Sequence, residues 1–198
     1  MDISKISIGP SPPRDVHVLI EIPQGGVPVK YELDKESGAL RVDRFLNTEM
    51  FYPGNYGFIP HTLSGDGDPV DVIVVVPSPV VAGAIVHVRP VGALMMKDEA
   101  GDDEKVIAVP VDKLHPFYSG VKSYRDLPAT LTDQIAHFFQ HYKDLEKGKW
   151  VTIVNWVGTD RAERMIVEGI RRAAQAGDDV AAHYVASGAL KASSRKSS

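Results

Sequence analysis

The hydrophobic period changes once along this 198-residue chain. From about Asp15 to Val111, apolar residues alternate with polar ones or gather in short β-branched runs. These are HVLIEIP (17–23), VPVKYELD (27–34), ALRVDRF (39–45), VDVIVVV (70–76) and AIVHVRPVGAL (84–94), with Gly and Pro between them. A period of two turns successive side chains to opposite faces of a sheet. Val29, Tyr31 and Leu33 therefore share one face, and Lys30 and Glu32 the other. Short strands at this spacing predict a small barrel or sandwich.

The last third has a helical period. In TLTDQIAHFFQHYKDLEKG, Leu131, Ile135, Phe138, Tyr142 and Leu145 fall on one stripe that Gly148 ends. In TDRAERMIVEGIRRAAQAG, Ala162, Met165, Ile166, Ile170 and Ala173 face inward. Thr159 is placed to cap the second helix, Arg171 and Arg172 suit its C-terminal dipole, and Gly177 stops it. The expectation is one α+β domain over 1–177, a β body followed by two C-terminal helices. A polar, flexible tail is expected over 178–198.

Composition excludes several roles. A net charge of −4 with 24% charged residues leaves no basic footprint for nucleic acid or an anionic membrane. The absence of cysteine rules out disulfides, thiol catalysis and thiolate-bound zinc. MDISKISIGPSPPRD lacks the apolar core of a signal peptide, and no run approaches the about 20 residues needed to cross a bilayer. A cytoplasmic protein is expected.

Two acidic turns concentrate the chemistry. SGDGDPVDVIVVV sets Asp66, Asp68 and Asp71 at the mouth of an apolar strand, where each carboxylate raises its neighbour's pKa unless positive charge intervenes. An EF-hand loop from Asp66 would need glycine where Asp71 stands and glutamate where Pro77 stands, so that motif fails. MMKDEAGDDEKVIAVP supplies Asp98 and Asp103, with Asp103 and Lys105 on one face of a strand. The two turns are either solvated loops or oxygen ligands for one hard-cation site. Lys30 with Glu32 reads as a wet strand face or a charged site. Arg44 has the parity of Leu40 and Val42, which directs it towards the apolar side, where a charge needs a partner. FYPGNYGFIP offers the hydroxyls of Tyr52 and Tyr56 or simply an aromatic loop. Tyr142 lies on a core stripe beside Lys143.

The ordered set IEIPQG, VKYELDKESGAL-x-VDR, YPGNYGFIP, GDGDPVDV, DEAGDDEKV-x-AVP and HFFQHYKDLEKGKWV resembles the soluble family I inorganic pyrophosphatases of bacterial type. The resemblance runs from Glu21 to Val151 and implies a small five-stranded OB-like barrel with flanking helices. It implies hydrolysis of pyrophosphate to two phosphates with several Mg²⁺ ions, Mn²⁺ being a possible substitute. By motif, Asp66, Asp71, Asp98 and Asp103 would bind metal, with Glu21 and Glu32 nearby. Asp68 would orient or deprotonate the attacking water. Lys30, Arg44, Tyr56, Lys105, Tyr142 and Lys143 would hold phosphate oxygens, with Tyr52 in support. Seven carboxylates against four cations leave such a pocket at −3, and two divalent ions would bring it to +1. Relatives of this kind form homohexamers, and His137 and His141, four apart on one helix, are candidate subunit contacts, solvent-exposed residues or a zinc pair.

Two other classes fit less well. A nucleic-acid-binding OB module would need a basic groove. A non-catalytic divalent-cation or phosphate-binding module leaves Lys30, Arg44, Lys105 and Lys143 unexplained among the acids.

Overall fold

The computed structural model describes residues 1–34 and 36–190. The strands are β1 (Val16–Ile22), β2 (Val29–Leu33), β3 (Leu40–Phe45), β4 (Asn55–Ile59), β5 (Val70–Val74), β6 (Ile85–Asp98), β7 (Gly101–Pro110) and β8 (Val151–Gly158). The helices are α1 (Ala129–His141), α2 (Thr159–Gln175) and α3 (Asp179–Ala186). One sheet runs β1-β4-β5-β7-β6-β8, and a further β1–β6 pairing closes its first five strands into a ring. β5 and β7 pair in parallel, and the other neighbours are antiparallel. β2 and β3 form a separate hairpin outside the ring. Among the described residues, no helix is long and apolar enough to cross a membrane.

The β-branched runs are continuous because both faces of the sheet are covered. Val72 and Val74 join Val16, Val18, Val86 and Val88 in a cluster capped by Ala162, Met165, Ile166, Ile170 and Ala173 of α2. Ile73 and Val75, of opposite parity, pack with Leu94, Met96 and Ile107 under Ile135, Phe138, Phe139 and Tyr142. At the crossing of β1 and β4 the strands meet so closely that a Cβ on Gly57 would lie 2.0 Å from the Leu19 carbonyl oxygen.

Several expectations are corrected. The segment read as an aromatic loop contains β4, every residue of which is buried. β8 had no counterpart in the periodicity. α1 ends at His141, so Leu145 lies beyond the helix and is 66% exposed. The turns that follow α1 keep the helical spacing of apolar letters without the helix. The segment read as a loose tail opens with a third helix, α3. Its small residues give little amphipathic signal, yet Ala181 is fully buried and Val180, Tyr184 and Leu190 pack on the core. The remainder of that segment, residues 191–198, lies outside the described residues.

α3 also clasps the N-terminal segment. The Tyr184 hydroxyl donates to the Gly9 carbonyl at 2.8 Å. Asp178 caps α3 by accepting from the Ala181 amide at 2.9 Å and faces His61 Nδ1 at 2.7 Å. His61, at φ +57, donates from Nε2 to the Ile6 carbonyl at 2.9 Å. Burial acts to raise the Asp178 pKa, but the Ala181 amide and His61 outweigh it and hold it below the usual carboxylate value. A depressed folded-state pKa stabilises above the unfolded value and loses that contribution as pH falls through the folded one. Asp178→Ala is therefore expected to cost about 0.5–2 kcal/mol at pH 7, the range for loss of a helix cap. The difference from the parent should narrow below about pH 4, the ordinary aspartate range. Urea midpoints at the two pH values measure this, and a constant difference would contradict it.

Candidate active site

The fourteen residues assigned by motif to metal, water or phosphate line two adjoining cavities that share Lys30, Tyr56, Asp68 and Asp71. One cavity adds Glu21 and Glu32. The other adds Arg44, Tyr52, Asp66, Asp98, Asp103, Lys105, Tyr142 and Lys143.

Each acidic turn is shaped by its own backbone. In GDGDPVD, the Asp66 carboxylate accepts from the Asp68 amide at 3.0 Å, and Gly67 takes the left-handed φ of +92 that a side chain would oppose. Val70 then enters β5 at once, so Asp71 projects from the start of a buried strand. Asp98 ends β6 opposite Gly101 in the β6–β7 hairpin, and its Oδ1 accepts from the Ala100 amide at 2.8 Å. Its Oδ2 accepts from Lys143 Nζ at 2.7 Å. Burial works to raise the Asp98 pKa, but Lys143 and the Ala100 amide bring it below the usual value.

Lys105 stands at the centre. Period two on β7 puts it beside Asp103, and the parallel β5–β7 pairing brings it to Asp71. Its ammonium donates to Asp71 Oδ2 at 2.5 Å and to Asp103 Oδ1 at 2.7 Å. Only 7% of the side chain is exposed. Burial pulls this ammonium towards neutrality, but the two carboxylates outweigh it and hold its pKa well above the usual lysine value. The rings of Tyr56 and Phe139 stand 5.8 and 5.9 Å from Nζ. Burial also raises the Tyr52 and Tyr56 phenols, so both stay protonated donors.

The β2–β3 hairpin forms the opposite wall. Lys30 Nζ donates to Glu32 at 2.5 Å and lies 3.4 Å from Asp43. The parity assigned to Arg44 is overturned by a bulge. Tyr31 pairs with Val42 and Lys30 with Arg44, leaving Asp43 as the extra residue. Two residues then oppose one, and every side chain beyond the bulge changes face. Arg44 thus shares the face of Lys30, while Leu40 and Val42 are exposed, at 39% and 45%. Arg44 Nε finds Glu146 at 3.6 Å and Asp43 at 3.9 Å. Glu21 of β1 accepts from the Leu33 amide of β2 at 2.7 Å and so ties hairpin to ring. Burial, opposed by that amide, pushes the Glu21 pKa up to about 7.

Sequence reasoning missed Asp43, Glu99, Asp102, Glu146 and Lys149. Glu99 faces Lys149 at 2.8 Å and Lys143 at 3.8 Å, and with Asp102 it lines the second cavity. Glu99 and Asp102 lie inside DEAGDDE and were legible as part of that cluster. Asp43 was not, because nothing in VDRF announces a bulge.

The donor set is oxygen throughout, which suits hard divalent cations. Among the described residues, no three His, Asp or Glu side chains already stand as a closed cation cage. Lysines hold the carboxylates instead, with Lys105 between Asp71 and Asp103 and Lys143 on Asp98. His137 and His141 lie elsewhere, with ring centroids 4.6 Å apart and His141 Nδ1 2.7 Å from Asp144.

Residues 18–174 match the family model described as inorganic pyrophosphatase. The chain is 67% identical over 172 residues to the inorganic pyrophosphatase of Caulobacter vibrioides, covering 87% of this chain and 97% of that one. It is 60% identical to that of Bradyrhizobium diazoefficiens, with the same coverage of each chain. Among solved structures, an inorganic phosphatase from Anaplasma phagocytophilum superposes with a TM-score of 0.84 at 50% identity, covering 86% of this chain and 99% of the other. The inorganic pyrophosphatase of Thermus thermophilus gives 0.82 at 40% identity, covering 88% and 99%.

Removing one partner from a buried charge cluster exposes the repulsion it had masked. Lys105→Met keeps the bulk of the side chain and leaves Asp71 and Asp103 facing each other, at an expected loss of about 3 kcal/mol. Added Mg²⁺ should raise the thermal midpoint of the variant more than that of the parent. Equal stability of the two proteins without metal would contradict the central place given to this lysine.

Proposed function

The chain belongs to the inorganic pyrophosphatase family, and from that membership we propose that the acidic cleft is where its substrate is cut. The protein hydrolyses inorganic pyrophosphate to two orthophosphates. The observation that supports assigning the reaction to this cleft is its charge. Nine carboxylates (Glu21, Glu32, Asp66, Asp68, Asp71, Asp98, Glu99, Asp102 and Asp103) share its walls with five cations (Lys30, Arg44, Lys105, Lys143 and Lys149). A polyanion would be repelled by the resulting −4, two divalent cations cancel it, and a third reverses the sign.

Asp66, Asp71, Asp98 and Asp103, with Glu21 and Glu32, are the residues that would hold several such ions. When bound, Mg²⁺, or Mn²⁺ as a substitute, supplies positive charge to the substrate and makes water acidic enough to lose a proton near neutral pH. The attack is in line with the leaving phosphate. Asp68 accepts the water's proton, because it projects from the same turn as Asp66 and lines both cavities. Lys30 and Arg44 hold one phosphoryl group from the hairpin side. Lys105, Lys143, Tyr56 and Tyr142 hold oxygens from the ring and helix side, with Tyr52 in support. Phenols kept protonated by burial can donate without adding charge. Residues 1–177 are the catalytic unit, the ring is read as the family's OB-like barrel, and the setting is cytoplasmic. The assembly is a homohexamer, a reading supported by the exposed Phe51 in a groove with His137.

Two measurements test this. Hydrolysis should vanish in excess EDTA and return with Mg²⁺, while Ca²⁺, with its longer and looser coordination, supports little turnover. Appreciable activity in EDTA would sink the assignment. Asp68→Asn should lower kcat by at least about 10²-fold with little change in the Mg²⁺ requirement, as loss of a general base does. Asp71→Asn should instead raise the Mg²⁺ needed for half-maximal rate. The same Mg²⁺ dependence in both variants would refute the division of roles.

A further inference from the structure

The β1–β6 pairing that closes the ring sets two histidines directly opposite one another, His17 and His87. Their neighbours Val16, Val18, Val86 and Val88 are buried in one core cluster, so by alternation both imidazoles stand on the other face, partly open to water. The His17 amide donates to the Ile8 carbonyl and the His87 carbonyl accepts from Val111, so neither of these groups is used between the two residues. They form a non-hydrogen-bonded pair, the register in which cross-strand side chains come closest. The ring centroids are 5.2 Å apart with planes at 77°.

Each ring has a partner that orients it. His17 Nδ1 lies 3.0 Å from Ser7 Oγ and 3.1 Å from the Ser7 carbonyl oxygen. A proton on Nδ1 suits both contacts, since a lone pair there would face the carbonyl. The free lone pair is then on Nε2. His87 Nε2 lies 2.5 Å from Asp15 Oδ1. A carboxylate only accepts, which puts the proton on Nε2 and the lone pair on Nδ1. Both contacting atoms are buried, and the angle between them falls outside hydrogen-bond geometry, so neither is satisfied. A cation on the Nδ1 side would sharpen the Nε2–H dipole and reward its alignment on Asp15. That arrangement, carboxylate to imidazole to metal, is how metal-binding histidines are commonly oriented.

We propose that His17 and His87 bind one borderline divalent transition cation (Zn²⁺, Ni²⁺ or Cu²⁺) through two imidazoles, with Ser7 and Asp15 as orienting partners. With metal–nitrogen bonds of about 2.0–2.1 Å, two imidazoles on one tetrahedral ion have centroids roughly 5 Å apart. The observed centroid spacing of 5.2 Å matches that value. Imidazole donors select these ions, whereas the oxygen-lined cleft selects harder ones. Neither histidine lines the two cavities of that cleft. With two protein ligands and water in the remaining positions, the site is an open chelate. Its consequence is mechanical, because the ion staples β1 to β6 across the seam of the ring. Binding to the folded state alone raises stability by mass action.

The experiment uses full-length protein carrying His137→Gln and His141→Gln, which removes the other adjacent histidine pair. Excess Mg²⁺ occupies the carboxylates. Titration with Cu²⁺ should show one strong equivalent per protomer whose electron paramagnetic resonance spectrum carries coupling to two imidazole nitrogens. His17→Gln and His87→Gln should each abolish it, and Asp15→Asn should weaken it ten- to a hundred-fold, the range for lost orienting partners. Ni²⁺ should raise the thermal midpoint of the parent and not of His17→Gln. Circular dichroism and retained pyrophosphate hydrolysis verify folding, and His87→Asn replaces any variant that fails there. An unchanged Cu²⁺ equivalent in folded His17→Gln and His87→Gln proteins would overturn the proposal. So would coupling to one nitrogen or none in the parent.

Discussion

Nine carboxylates in one cleft repel each other, and the cost rises wherever water is excluded. Lys105 meets that cost at its steepest point. It is buried and sits within hydrogen-bonding distance of both Asp71 and Asp103. Lys143 does the same for Asp98, and Lys30 for Glu32. Some of these pairs lie within one strand, Lys30 with Glu32 on β2 and Lys105 with Asp103 on β7, and others join different elements. β5 and β7 meet through Asp71 and Lys105, and the end of β6 meets the turn after α1 through Asp98 and Lys143.

Such a charge lattice needs stiff support, and the ring provides it. β5 and β7 are buried on both faces, with one parity under α2 and the other under α1. A strand held on both sides cannot rotate its side chains out of register without opening a core. The hairpin carrying Lys30, Glu32 and Arg44 lacks that support, being outside the ring. Glu21 on the Leu33 amide and Arg44 beside Glu146 are its polar ties to the body. Lys30 and Arg44 thus stand on a separate two-stranded sheet, facing the carboxylates carried by the ring.

The ring has a seam where β1 meets β6, and two sets of side-chain contacts lie around it. β1 closes on β6 through a few residues, among them the His17–His87 pair. Nearby, α3 fastens the segment before β1 through Tyr184 and through the His61 and Asp178 pair. Both lie beside β1, which pairs with β4 on one side and β6 on the other.

The sequence by itself determined the division into a β body and a helical end, because burial imposes a period of two on strands and 3.6 on helices. It also carried seven of the cleft's acidic residues, because carboxylates crowded at the mouths of buried strands are costly, while Glu99, Asp102 and Asp43 were passed over. Proximity is another matter. Period two could pair Asp103 with Lys105, but only the parallel register of β5 and β7 decides that Asp71 meets the same ammonium. Arg44 shows the limit most sharply. Its alternation with Leu40 and Val42 was legible and misleading, because a bulge at Asp43 reverses the face. A bulge is set by how two strands pair, not by either strand's letters. α3 escaped for a related reason, since its small side chains become a core only when the N-terminal segment lies against them. Local pattern records which residues avoid water, and tertiary structure alone decides which distant groups they avoid it with.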